Sequence, residues 1–225
     1  MKKLYIACFT LLTVVAHAQK GGMYINFNLM FPSGEFKTVH DNVGYGGRIG
    51  VTLPIVKEIP LQVGFEVGYN SLQRSTQPAS GSVWGFYNSY RVVAGSNNIS
   101  TLLLLKLQNP KRLAVNPFIE GVFGGNHFYG TAAFEGYNWS NGWERIQQES
   151  TKGRWALTYG GAAGLDIALD KRRETYLTLK TTYTIGQKTT YYTDPTIDGF
   201  GQVTFYEKES QTNMVLPQVG FRIMF

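Results

Sequence analysis

The last eight residues, Gln218-Val219-Gly220-Phe221-Arg222-Ile223-Met224-Phe225, change character at every step. Phe225, Ile223, Phe221, Val219 and Pro217 share one phase of a period-two repeat; Met224, Arg222, Gly220 and Gln218 share the other. Successive side chains of an extended strand point to opposite faces. This segment therefore has one apolar face and one face carrying a guanidinium and an amide. Such a strand suits a wall with hydrocarbon on one side and a polar, confined lumen on the other.

The same alternation recurs upstream. Residues 22–31 set Met23, Ile25, Phe27, Leu29 and Phe31 outward against Tyr24, Asn26 and Asn28. Residues 43–53 set Val43, Tyr45, Ile49, Val51 and Leu53 against Gly44, Gly46, Arg48, Gly50 and Thr52. Residues 61–69 set Leu61, Val63, Phe65, Val67 and Tyr69 against Gln62, Gly64, Glu66 and Gly68. In residues 99–107 the apolar run 102–105 hides the phase, and Lys106 fixes it: Thr101, Leu103, Leu105 and Leu107 point out. Residues 115–125 place Ile119 and Phe123 outward and Glu120 inward. Residues 155–169 alternate throughout, with Asp166 inward, and residues 175–185 set Leu177, Leu179, Tyr183 and Ile185 against Tyr176, Thr178, Lys180 and Thr182.

With the C-terminal segment this makes eight strands, each near the ~9–11 residues a tilted membrane strand needs. The connections 54–60, 108–113 and 170–173 are short; 32–42, 71–98, 128–152 and 186–211 are long. Short periplasmic turns alternating with long external loops put both termini on the periplasmic side. The pattern predicts an all-β, closed, up-and-down antiparallel transmembrane β-barrel of about eight strands. Ten strands is the alternative, because residues 83–93 are rich in aromatic and β-branched side chains and could add strands or prolong a hairpin. Pro217 cannot donate to a ladder, which predicts a bulge there or a ladder that begins below it.

Charge sorting supports the registers. The charged residues of the strand cores, Arg48, Glu66, Lys106, Glu120, Asp166, Lys180 and Arg222, all fall on inward phases. Two of those registers, holding Lys106 and Glu120, are themselves set by charge; the other five charges are independent. A basic side chain facing lipid at mid-bilayer costs ~2–4 kcal/mol. An eight-stranded barrel is just wide enough for side chains to fill. These seven are therefore expected to form a lumen network of ion pairs, a sealed plug rather than a gated ion path. Outward aromatics gather near the loop-side ends, at Phe31, Tyr45, Tyr69, Trp155 and Tyr183, which predicts an interfacial girdle.

The first residues read as an export signal. Lys2 and Lys3 precede the apolar stretch 4–16, too short to span a bilayer, and Ala16-His17-Ala18 fits a small-x-small cleavage site. Residues 1–18 are the expected signal peptide and 19–225 the barrel domain. Cys8, the chain's single cysteine, would leave with the leader. It sits too close to the lysines to be a lipidation site.

The 26 glycines, 14 tyrosines and 14 phenylalanines with only 16% charged residues suit a barrel. They would also suit a secreted β-sandwich. The net charge of +6 falls to +4 without the two leader lysines, and no basic block suggests nucleic acid. No metal motif or phosphate loop appears, and no cofactor is expected. His40, beside Asp41 and with Ser33 nearby, is the one constellation that could suit a lipid-modifying enzyme; His127 is the other histidine of the mature chain. Catalysis needs a geometry that spacing does not give, so no enzyme is expected. The long loops carry Trp84, Phe86, Tyr87 and Tyr90, then Tyr137, Trp139 and Trp143, then Tyr191, Tyr192 and Phe200. They suit either a contact surface or hairpins that prolong the barrel.

Two resemblances add to this reading. The C-terminal pattern, with Gln218, Gly220, Ile223 and Phe225 in the polar, glycine, apolar and aromatic places, resembles the assembly signal of bacterial outer-membrane proteins. It implies recognition by the barrel-assembly machinery. Ile99-Ser-Thr-Leu-Leu-Leu-Leu-Lys106 followed by Asn116-Pro117-Phe118-Ile119-Glu120-Gly121 is similar to a pattern of the Bacteroidetes outer-membrane β-barrel domain family, the PorT-like and OmpA-like barrels. Phe118 stands where that pattern has tyrosine. This resemblance implies an eight-stranded fold and no particular activity. The expected role is structural or surface interaction through the external loops, with outer-membrane lipid, lipopolysaccharide or a protein as partner. A narrow pore or secretion-accessory barrel is the alternative, and a lipid-modifying enzyme the third reading.

Overall fold

A computed structural model describes residues 21–56, 59–79, 89–111, 113–140, 142–197 and 202–225. The expected signal peptide, residues 1–18, lies outside the described residues, as do Trp84, Phe86, Tyr87 and Phe200. The elements are β1 (Gly22–Ser33), α1 (Glu35–Val39), β2 (Gly44–Pro54), β3 (Leu61–Ala79), β4 (Ser89–Gln108), β5 (Val115–Asn138), β6 (Gly142–Ser150), β7 (Arg154–Ala168), β8 (Thr175–Gly186), β9 (Lys188–Ile197), β10 (Val203–Gln211) and β11 (Asn213–Met224).

Eight strands close on themselves in the order β1-β2-β3-β4-β5-β7-β8-β11, every neighbour antiparallel. The registers give the stagger. Stepping across paired residues from Gly22 leads through Thr52, Gly64, Leu104, Val122, Gly160, Thr184 and Met214 to Pro32. The walk returns to β1 ten residues above its start. With a rise of ~3.3 Å per residue and strands ~4.8 Å apart, that stagger tilts the strands by about 40°.

The alternation sets the two surfaces of the wall. Met23, Ile25, Phe27, Ile49, Phe65, Leu103, Ile119, Leu157 and Phe221 are exposed on the outside, while Asn26, Arg48, Glu66, Lys106, Glu120 and Arg222 are buried. On β1 and β3 the outward apolar row runs over nine residues, Met23 to Phe31 and Leu61 to Tyr69, about 20 Å along the axis at this tilt. A closed sheet with this apolar exterior satisfies its backbone internally and presents only side chains to hydrocarbon. The protein is an integral β-barrel of the outer membrane.

Three strands run far past the membrane: β3, β4 and β5 have 19, 20 and 24 residues. Most of what reads as long loops is therefore hairpin. β5 continues ten residues beyond Phe128, about 25 Å along the axis. There it pairs with β4 on one side and β6 on the other. Residues 89–93 extend this hairpin and add no strand to the barrel, so the wall has eight strands and not ten. β9 and β10 form a separate two-stranded sheet. β9 packs against β3, β4, β5 and β7, so this hairpin bends across the barrel mouth.

Pro217 causes no bulge. It pairs with Thr181 in an unbroken register with β8, and the ladder continues above it to Met214. The β1 side is paired at Gln218 and again at Val215 in the same register, with no pairing between. The missing donor opens a gap in one ladder, and the closed wall holds the register from the other.

Candidate functional site

The lumen is built in three layers, and the inward phase of the strands supplies most of each. At the periplasmic end, Asp166 on β7 gathers four donors. Gln108 Nε2 and Thr178 Oγ1 donate to it at 2.7 Å each, Lys106 Nζ lies at 3.3 Å and Arg222 Nη1 at 3.5 Å. Arg222 also donates to Thr52 Oγ1 and to Gln62 Oε1. Higher up, Glu66 accepts from Arg48 at 2.6 Å, Lys180 at 2.9 Å and the Tyr24 hydroxyl at 2.6 Å. Glu120 joins the two groups, 3.7 Å from Lys106 and 3.1 Å from Lys180. All seven charged residues thus form one continuous network. Each is at most 5% exposed. Lys106 Nζ also lies over the Phe118 ring, 3.4 Å from its centre.

Above this network comes a belt of amides. Asn26 donates to Gln218, Gln218 to Thr182, Asn28 to Asn70 and Asn70 to Asn98. Small hydrogen-bonding side chains let the wall close where no charge is needed. Gly220 serves the same close approach: a Cβ there would collide with the Ile25 carbonyl and the Asn26 side chain.

The third layer is apolar, and it is the part the strand reading missed. Met30, Leu72, Phe128, Ala156, Met214 and Leu216 from the strand tops enclose Phe36 of α1 and Tyr191 of β9. Phe36 and Tyr191 meet edge to face with ring centres 5.0 Å apart, and both are fully buried. The chain turns from β1 into α1 at Gly34, whose φ of 58° favours glycine. The hairpin is tied down by Glu35, which accepts from the Gln211 amide at 3.3 Å, and by Ser96 donating to the Tyr192 carbonyl. Tyr191 and Ser210 also share a hydrogen bond of 2.8 Å. Burial pushes the Tyr191 hydroxyl above its ordinary pKa.

The remaining singled-out residues fall as follows. Phe31, Tyr45, Tyr69, Trp155 and Tyr183 all project outward, towards the outer ends of the membrane-spanning rows. Tyr69, Ile99, His127 and Trp155 form one cross-strand row, and the His127 and Trp155 rings lie 4.9 Å apart. His40 is buried at the end of α1 and stacks on Phe36, while Asp41 is exposed. The imidazole is thus part of the apolar cap. Of the assembly-signal residues, Gln218 and Gly220 point into the lumen, Ile223 and Phe225 outward. The inward phase of Met30, Leu72, Phe128, Met214 and Leu216 could have revealed a change from polar to apolar filling. Nothing in the spacing could have placed Phe36 or Tyr191 over the mouth. No group of three or more His, Cys, Asp or Glu suited to a metal ion occurs among the described residues.

The sequence matches no protein-family model and no curated protein. Among solved structures, the chain is similar to Neisserial surface protein A, at 11% identity and a TM-score of 0.46, covering 92% of this chain and 96% of that one. It is similar to a major outer membrane protein from Thermus thermophilus at 14% identity and a TM-score of 0.46, covering 91% and 99%. Ail, the attachment invasion locus protein of Yersinia pestis, gives 11% identity and a TM-score of 0.42, covering 92% and 99%.

Proposed function

We propose that this protein is a sealed barrel whose work is done outside the membrane, through the sheet and hairpin it raises above its wall. The observation that carries this is the filling of the lumen. The cavity among the ion pairs, lined by Tyr24, Lys106, Glu120, Lys180 and Arg222, holds about 10 Å³. That is at the lower limit for one water and far too small for a hydrated ion. The apolar cap lies above it, so an ion would meet two barriers in series.

The raised structure is the part built for contact. It presents Trp139, 78% exposed, at a hairpin tip with Tyr137 and Trp143 beside it. Aromatic side chains clustered at a polar surface are typical of binding faces. Lipopolysaccharide or a surface protein is the partner class we assign to it. We further place the chain, on its Ile99–Lys106 and Asn116–Gly121 pattern, with the Bacteroidetes barrel-domain family, and assign no catalysis to it.

Single-channel recording in planar bilayers tests the sealed lumen. The folded protein should give no steady conductance in molar salt. Regular openings would overturn this reading in favour of a narrow pore.

A further inference from the structure

We propose that the groove between the outer sheet and the β9/β10 hairpin binds a neutral glycan. The inference rests on the reading that this sheet is displayed for contact outside the cell. The groove holds about 490 Å³, within the range of small-molecule sites. Val92, Phe134 and Phe205 give it an apolar floor, and Gln147, Glu149 and Gln202 supply polar groups around them.

The two rings are held in place by others. Phe134 stacks on Tyr90 with ring centres 5.3 Å apart, and Phe205 meets Tyr192 edge to face at 5.9 Å. Phe205 also lies against Gly130, where a Cβ would push the ring aside. Gln147 Nε2 donates to Glu149 Oε1 at 3.0 Å, so the amide and the carboxylate act as a pair. A site whose groups are already ordered binds with less entropic loss.

The chemistry of the lining selects the ligand. No lysine, arginine or histidine is among the described residues lining the groove, so a phosphate or sulfate group would meet no counter-charge. An acyl chain would desolvate the carboxylate and amides without replacing their hydrogen bonds. A sugar ring answers both halves of the surface. Its C–H face carries partial positive charge and lies on the negative face of an aromatic ring. Its hydroxyls can donate to the carboxylate and to the amide carbonyls.

The test uses the full mature chain folded in detergent micelles, with saturation-transfer NMR against maltotriose, cellotriose and triacetylchitotriose. Sodium laurate and inorganic phosphate serve as apolar and anionic probes. At least one neutral trisaccharide should bind saturably. Glu149→Gln and Phe205→Leu should each weaken it about tenfold, the loss expected for one charge-assisted hydrogen bond or one stacking face. Phe205→Leu keeps an apolar side chain in the hairpin, so folding is preserved while the ring is lost. Absence of saccharide binding, equal binding by the variants, or preference for laurate or phosphate would each overturn the proposal. Labelling of Gln202→Cys on intact cells with a membrane-impermeant maleimide separates the two readings. Failure to label would sink the display reading and this proposal together. Labelling without saccharide binding would sink the glycan alone.

Discussion

Glu66→Gln is the perturbation that most directly asks whether the lumen is dry. Glu66 is 1% exposed and accepts from Arg48, Lys180 and Tyr24 at 2.6, 2.9 and 2.6 Å. Its loss does not fall equally on the three. Lys180 keeps Glu120 at 3.1 Å, but Glu66 is the one carboxylate within ion-pair distance of Arg48 among the described residues. The substitution therefore leaves a buried guanidinium without its counter-charge. Breaking a buried pair in this way costs ~3–5 kcal/mol. The glutamine carbonyl can still accept from Tyr24 or Arg48, so we expect the lower end, about 3 kcal/mol. The assay is urea unfolding of residues 19–225 refolded in phospholipid vesicles, followed by tryptophan fluorescence. Arg48→Gln and the double variant complete a cycle. The double variant should cost less than the sum of the singles by at least about 1 kcal/mol, because it removes both charges together. A loss under about 1 kcal/mol for Glu66→Gln, the range of exposed pairs, with additive singles, would mean that water reaches the network. That result would refute the sealed lumen as well as the energetic argument.

Other outcomes follow from the same geometry. Gly220→Ala should destabilise the barrel by about 1–3 kcal/mol in the same unfolding assay, because its Cβ has no room against Ile25 and Asn26. Gly121→Ala, where the nearest atom to a new Cβ is 4.0 Å away, should be neutral. Leu103→Arg, in the middle of the outward row, should cost ~2–4 kcal/mol, whereas Leu107→Arg near the periplasmic rim should cost ~0–1 kcal/mol. In the β7–β8 turn, Asp170 accepts from the backbone N–H of Thr175 at 2.7 Å and of Glu174 at 3.0 Å, and these bonds hold its carboxyl below the usual aspartate range. A depressed carboxyl stabilises the turn above its unfolded pKa of about 3.9 and loses that effect as pH falls through the folded value. The protection of the Thr175 amide, taken relative to its intrinsic exchange rate, should therefore fall below about pH 4, and Asp170→Asn, which can still accept, should abolish that pH dependence.

The wall was legible because membrane and lumen impose opposite demands on alternate residues. Lys106 alone resolved the phase of an otherwise featureless leucine run, and the structure places Leu102 and Leu104 inside with it. A charge has one affordable side in such a wall, so a single one orients a whole strand. Strand length was not legible in the same way. Beyond the membrane both faces of β3, β4 and β5 meet water or each other, so the strict alternation ends while the ladder continues. Val92 and Val93 show this: neighbours on opposite faces, both buried. A reading that stops where alternation stops mistakes an extended hairpin for a loop.

The cap shows a different limit. Phe36 and Tyr191 lie in the connections between barrel strands, and neither is positioned by a local repeat. What holds them is the ring of apolar side chains that the strand tops turn inward, Met30, Leu72, Phe128, Met214 and Leu216. These five fall on the inward phase although they carry no polar group. Left open to water they would expose a greasy funnel, and burying each is worth roughly 1.5–3 kcal/mol. The inward phase at the strand tops therefore creates a vacancy of defined chemistry, and a short helix and a bent hairpin with one aromatic each meet it. In a filled barrel, the inward phase should be followed past the last charge, because the residues found there state what the loops must supply.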